Sequence, residues 1–414
     1  MLTINMVFSL FLSFSSLSAQ NTLTLGTRTF IYTDTTAGGT PVIPMWKAQM
    51  PVSNRTKAAG LPLLQNVKHH YVYQPANRKE GALNHYATLH FHNGHFHAMW
   101  GNHTLGEDGP GQRILYSSSK DGTRWTRPIE LFPKPCPIAE RGKRGLRLKP
   151  DYWVEADGKL YAVIYASGHG PAYMIAREVT ANGNLGNPFM LYTFPANAVL
   201  PEFMSEPVYN PEVTEKIFKW YEDNDVVSWW ARRFDNKYPS RGIDGADMIE
   251  SFTFRDDYGL VLLYRDFGTV AGANRNYTVS NRIYASFEDG KGGWTIPYPT
   301  DIPDSHSRSQ ARRLPDGSVL LVGNQIAHRF DEGLRLPRDP LTLAISMDGQ
   351  FFTKVFALRT DAPRTPRFSG IAGGRDIGMY GYPSMIVHNG MVYVLYSVSK
   401  EDIAISIVPL SWLH

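Results

Sequence analysis

The sequence predicts an all-β protein built as a single β-propeller, and three observations carry that expectation. A strand-turn-strand unit recurs along the chain. A Ser-x-Asp-Gly knot closed by an aromatic recurs beside it. Aromatic residues make up 13% of the chain, with 22 Tyr and 9 Trp, as inter-blade packing or sugar-stacking surfaces require.

The elements follow in chain order. Residues 1–19 hold the apolar run Val7-Phe8-Ser9-Leu10-Phe11-Leu12 and end in small residues, so they are expected to be a secretory signal cleaved after Ala19. The run is too short to span a membrane. Residues 20–414 then form the propeller domain. Its clearest blade surrounds Asn93-Gly94, where two alternating strands meet at a turn of type I′ chemistry. An acidic loop at Gly106-Glu107-Asp108-Gly109, a third strand and the knot Ser119-Lys120-Asp121-Gly122-Thr123-Arg124-Trp125 complete it. The hairpin recurs at Asp157-Gly158, Asp316-Gly317 and Asn389-Gly390, and in weaker form at Tyr258-Gly259. The knot recurs at Asp289-Gly290 with Trp294, and at Asp348-Gly349 with Phe351. These degenerate Asp-boxes are structural, because Ser and Asp bond the turn while Gly supplies positive φ.

The turn glycines stand 58 (Gly259 to Gly317) to 101 (Gly158 to Gly259) residues apart, which suggests that some blades are hidden and that the ring has seven. Residues 201–245 fit neither template and are expected to be an inserted loop or short helix at a blade face. The last strand, Ile403–Val408, is expected to pair with Thr29-Phe30-Ile31-Tyr32 and so remove the open sheet edges.

A formal charge of +4, from 42 Lys+Arg against 38 Asp+Glu, is too mild for nucleic acid, although a basic pocket for an acidic substrate fits it. The lone Cys136 rules out an internal disulfide. A secreted or periplasmic protein without a membrane span follows. Eight of the 13 histidines lie in residues 69–103. His90, His92, His95 and His97 flank the turn and read as strand-face residues. His85 and His103 both fall at the open mouth of the hairpin, where solvent reaches them and proton transfer becomes feasible. His69 and His70 have neither a cysteine nor regular ligand spacing beside them, so no metal ligands are assigned; no cofactor is required, and a structural divalent metal stays open.

Gly106–Arg113 before an Asp-box strand, Leu263-Tyr264-Arg265-Asp266, Pro303-Asp304-Ser305, Gly323-Asn324-Gln325 and Tyr396–Ile403 together resemble the sialidase-like propellers that act on rhamnose-uronic acid glycans, among them ulvan lyases and rhamnosyl-glucuronate lyases and rhamnosidases. The Arg-Ile-Pro strand of sialidases proper is not found. The resemblance implies a polysaccharide lyase that cleaves by β-elimination beside a glucuronate. Elimination needs a base for the C5 proton, an acid for the leaving O4 and a cation on the carboxylate. By resemblance, His85 and His103 match the histidine pair and Tyr152 the tyrosine. Arg177, Arg265 and Arg338 match the arginines, with Tyr382 and Lys400 as wall residues. Unperturbed groups would give activity between about pH 6.5 and about pH 10. Two alternatives stay open. One is a glycoside hydrolase of the same fold (α-L-rhamnosidase or sialidase-like), using carboxylates such as Glu107, Asp108 and Glu206. The other is a non-catalytic glycan-binding propeller.

Overall fold

A computed structural model describes residues 20–52, 57–180, 183–227, 238–266, 269–271, 276–278, 281–327, 338–368 and 378–413. The expected signal segment and the Trp229–Arg233 stretch lie outside them.

Among the described residues the chain forms five four-stranded antiparallel blades, not seven. Blade 1 comprises Leu83–His92, His95–His103, Arg113–Ser119 and Ile129–Phe132. Blade 2 comprises Arg147–Ala156, Lys159–Ser167, Tyr173–Val179 and Phe189–Met190. Blade 3 comprises Met248–Asp256, Gly259–Asp266, Arg282–Phe287 and Tyr298–Pro303. Blade 4 comprises Gln310–Arg313, Val319–Gly323, Leu341–Ser346 and Phe352–Arg359. Blade 5 comprises Tyr380–His388, Met391–Val398, Asp402–Pro409 and, as its outermost strand, Lys68–Tyr73. Each glycine turn read from the sequence is the inner hairpin of one blade, so among the described residues the wide spacings hold no further four-stranded blade. They are filled by connections, the longest of which carries a helix.

Ring closure is also corrected. Ile403–Ile407 pairs with Lys68–Tyr73, while Arg28–Ile31 pairs locally with Thr22–Leu25. That small hairpin is held against blade 3, where Arg28 Nη2 donates to Asp256 Oδ1 at 2.7 Å and Phe30 packs 5.1 Å from Phe287.

Neighbouring blades share apolar cores: 1 with 2, 3 with 4, 4 with 5 and 5 with 1. Helix α1 is the single turn Arg78–Gly81 before blade 1, and blade 2's other face packs instead on helix α2, Pro211–Asp223, through Ile217 and Tyr221. Asn210 caps this helix by accepting from the Val213 amide, and Pro211 occupies its first turn, where no amide is needed. The inserted segment therefore stands beside the blade 2 sheet as another blade would.

The Asp-boxes close the third-to-fourth strand turns of blades 1, 3 and 4. In blade 1, Asp121 Oδ1 accepts from the Thr123 and Arg124 amides at 2.8 and 2.9 Å, and Trp125 Nε1 donates to the Gly122 carbonyl. These boxes share the face of the inner glycine turns. The opposite face, where the inner strands begin, is the mouth face.

His97 is 1% exposed, its Nδ1 lies 2.9 Å from the Tyr116 hydroxyl, and burial pushes its pKa down to about 4. The folded protein thus holds His97 neutral where the unfolded chain, at 6.5, takes up a proton. Stability is expected to fall by roughly 3 kcal/mol as pH drops from 6.5 to about 4, by the linkage of proton binding to unfolding. Urea midpoints measured across that interval check this. A profile unchanged in a His97→Asn variant would remove the assignment.

Candidate active site

Each inner strand starts at the mouth face, and in blades 1 and 5 it starts with a bulge. The register slips between His85 and Thr88 in blade 1 and between Gly381 and Ser384 in blade 5. The bulges place Tyr86 and Tyr382 in left-handed backbone, at φ 61° and 55°. Asp108 and Lys400, on neighbouring loops, also adopt positive φ, at 62° and 57°. Four non-glycine residues in this conformation cost on the order of 1 kcal/mol each or more, and such strain concentrates where side-chain direction matters to function.

These residues form one cluster. The His85 ring stacks on Tyr382 at 4.2 Å between centroids and lies 4.6 Å from Tyr86. Its Nδ1 is 2.6 Å from Ser397 Oγ, and the Ser397 hydroxyl donates to the Gly381 carbonyl at 3.1 Å. Because the serine's one hydrogen is so engaged, Nδ1 carries the imidazole proton and Nε2 keeps the lone pair. Nε2 is buried without a hydrogen-bond partner, 4.0 Å from Glu107 Oε1. Burial, reinforced by the Lys400, Arg338 and Lys149 cations, holds the His85 pKa well below its ordinary value, so the ring is a neutral base.

Around the histidine, charges alternate. The Tyr86 hydroxyl donates to Glu107 Oε1 at 2.7 Å and lies 3.3 Å from Asp108 Oδ1. Lys400 Nζ donates to Glu107 Oε2 at 2.5 Å, and Lys149 Nζ meets Asp108 Oδ1 at 2.7 Å. Burial opposes the Glu107 charge, but the Lys400 ammonium and the Tyr86 hydroxyl together hold its carboxyl well below the usual range. Burial, then the Glu107 and Asp108 carboxylates, pushes Tyr86 well above its ordinary value, so its phenol stays protonated. Burial lowers the Lys400 ammonium, against the pull of Glu107. Arg265 Nη1 donates to the Tyr382 hydroxyl at 2.8 Å, and the Arg338 guanidinium lies 5.7 Å from the Tyr382 ring centre while bonding the His306 carbonyl. Two arginines and two lysines thus surround one mouth.

The structure brings together His85, Arg265, Arg338, Tyr382 and Lys400 from the sequence-derived set. It places the other three elsewhere. His103 spends both ring nitrogens on its own loop: Nε2 faces the Pro110 carbonyl at 2.9 Å, and Nδ1 accepts from the Leu105 and Gly106 amides. It shapes the turn that presents Glu107 and Asp108. A Cβ at Gly109 would stand 2.6 Å from its Cε1, so that turn closes only around a glycine. Tyr152 faces the axial interior beside Trp220, 5.8 Å away between ring centres. The bulge between Pro150 and Tyr152 gives the inward position on the mouth side to Asp151, which accepts from the Tyr221 hydroxyl. Arg177 bonds the Gly186 and Leu131 carbonyls and staples blade 2 to the outer strand of blade 1. Glu206 is exposed in the loop before α2.

Neither histidine reaches solvent, contrary to the sequence expectation: His85 is 0% and His103 2% exposed. The tyrosine rings cover the first and the acidic loop wraps the second. Besides Lys149 and Ser397, sequence reasoning missed Tyr86. It stands seven residues before Asn93 of its turn, as Tyr382 stands seven before Asn389. Aligning the hairpins on their turns would have found it. Among the described residues no group of three or more His, Cys, Asp or Glu side chains is placed to hold a metal, and no helix is long and apolar enough to cross a membrane.

Comparison with known proteins places the architecture. A solved sialidase superposes with a TM-score of 0.63 at 19% identity, covering 88% of this chain and 35% of its own, so this chain spans about a third of that protein. A Dyadobacter fermentans protein of unknown function gives 0.51 at 16% identity, covering 84% and 100% of the two chains. Trypanosoma rangeli sialidase, in complex with 2,3-difluorosialic acid, gives 0.50 at 13%, covering 84% and 59%. At these identities the likeness is one of fold. No curated protein matches the chain in sequence. The family model for the BNR repeat-like domain matches residues 46–394, from the segment before blade 1 into the second strand of blade 5, and the chain belongs to that family.

Proposed function

We propose that the protein is an exported enzyme that cleaves rhamnose-uronic acid glycans by β-elimination beside a glucuronate. The observation that carries this reading is the neutral His85, whose unprotonated Nε2 sits in a mouth ringed by Arg265, Arg338, Lys149 and Lys400. The uronate carboxylate pairs with Arg265 and Arg338, which withdraws charge from C5 and stabilises the anion that forms there. His85 Nε2 takes the C5 proton, the freed electron pair makes the C4–C5 double bond, and the C4–O4 bond breaks. Tyr86, held protonated beside Glu107, gives its hydrogen to O4 in place of Tyr152. Tyr382 caps His85 and has to swing aside for C5 to approach.

A hydrolase reading stands second, on one observation: the Tyr86 hydroxyl donates to Glu107 with Asp108 beside it, the arrangement of a nucleophile and its base. Incubation with rhamnose-glucuronate glycans separates the two. Ultraviolet absorbance of an unsaturated uronate is expected. Free sugar released without that absorbance would replace the lyase by the hydrolase.

A further inference from the structure

Beneath the mouth, on the same axis, lies a cavity of about 580 Å³ lined by the inner strands of all five blades and the C-terminal end of α2. Pockets of this size accommodate ligands of a few rings. Its charged lining is predominantly cationic: Arg255, Arg308, Arg312 and Arg313 against Glu155 and Asp225. Asp225 is taken up by Arg255 through bonds of 2.7 and 2.6 Å, and Glu155 by His90 at 2.6 Å. Arg313 reaches outward to Asp257. Arg312 is exposed and makes one long bond, 3.5 Å, to the Met385 carbonyl. The other resource of the cavity is aromatic: Trp220, half-buried on α2, and Tyr152, the residue the sequence had assigned to catalysis.

Two aromatic rings, tilted 49° to each other, and an under-used guanidinium lining one cavity suit a pyranose ring bearing a carboxylate: the ring's apolar face stacks on an aromatic, and the carboxylate takes the fork of the arginine. We propose that this axial cavity is a second, non-catalytic site for an acidic oligosaccharide, gripped by Trp220 and Tyr152 on its face and by Arg312 on its carboxylate. The ligand class rests on the proposed function, but the site shares none of the mouth residues.

Fluorescence titration tests it, with glucuronate-bearing oligosaccharide, its carboxyl-reduced counterpart and sodium sulfate as probes, on the His85→Ala protein so that nothing is consumed. The acidic oligosaccharide is expected to change the Trp220 signal, identified by its loss in Trp220→Phe. Arg312→Gln is expected to weaken that binding roughly tenfold or more, as loss of a charge-assisted pair does. The same replacement in the otherwise native chain should leave saturated turnover unchanged. Equal affinity for the carboxyl-reduced sugar, full competition by sulfate, or no effect of Arg312→Gln would each overturn the site. Binding lost on Arg265→Ala but kept on Arg312→Gln would overturn it too, by placing the ligand at the mouth. If the native protein cleaves nothing yet the Arg312-dependent signal persists, the catalytic reading falls and the axial site stands.

Discussion

Replacing His85 by alanine is expected to lower turnover on a uronate-bearing glycan on the order of a hundredfold or more, the usual contribution of a positioned general base. The side chain is fully buried, so part of the effect could come from packing; thermal unfolding measured alongside separates the two. The variant loses the Ser397 bond and the Tyr382 stack, which together are worth about 1–3 kcal/mol, a modest shift in midpoint. A fall in turnover with the folded fraction intact supports the base. Near-native turnover would remove His85 from the mechanism. The wild-type pH profile supplies an independent check. Because burial and Lys400 hold His85 well below 6.5, it stays neutral in mildly acidic solution, and the acid limb of turnover is expected below 6.5, not at it.

The second large effect is expected at Tyr86. Tyr86→Phe keeps the ring contacts with His85 and Tyr382 and deletes only the hydroxyl that Glu107 accepts. Turnover should drop on the order of a hundredfold, as loss of a general acid does, with little change in stability. Tyr152→Phe should leave turnover near the native value, since that ring faces the axial cavity. The reverse ranking in kinetic assays would restore the acid assigned from sequence and discard the one assigned from geometry.

The difference between those two tyrosines shows where the sequence stops being legible. Asn-Gly and Asp-Gly turns are local chemistry, so four of the five inner hairpins were plainly readable and the fifth, at Tyr258-Gly259, was readable more weakly by its glycine; the blade count failed because the distance between turns does not say whether a strand or a helix such as α2 fills it. His85, Arg265 and Tyr382 could be found because each lies near an end of a recognisable strand, and Arg338 and Lys400 because each lies in a connection that leads into one. Tyr86 was hidden because a bulge alters which neighbour faces the axis, and no residue pattern announced the bulge. Glu107 and Asp108 were visible as an acidic loop, but their partners Lys400 and Lys149 come from other blades. Burial of His85 depends on Tyr382, from the inner strand of the last blade.

Tyr73 pairs with Ile403, so the strand Lys68–Tyr73 is made before any blade, yet has its hydrogen-bonding partner only in the last one. During synthesis it must wait as an unmatched ribbon while nearly the entire ring is produced. Its sequence suits that wait: Lys68 and His69 are exposed in the finished fold, and a charge on a lone strand discourages pairing with a stranger. Folding is therefore expected to finish with a long-range zipping step, slow because the loop it closes runs from Tyr73 to Ile403. The ring has a clasp, and the clasp is the last thing to shut.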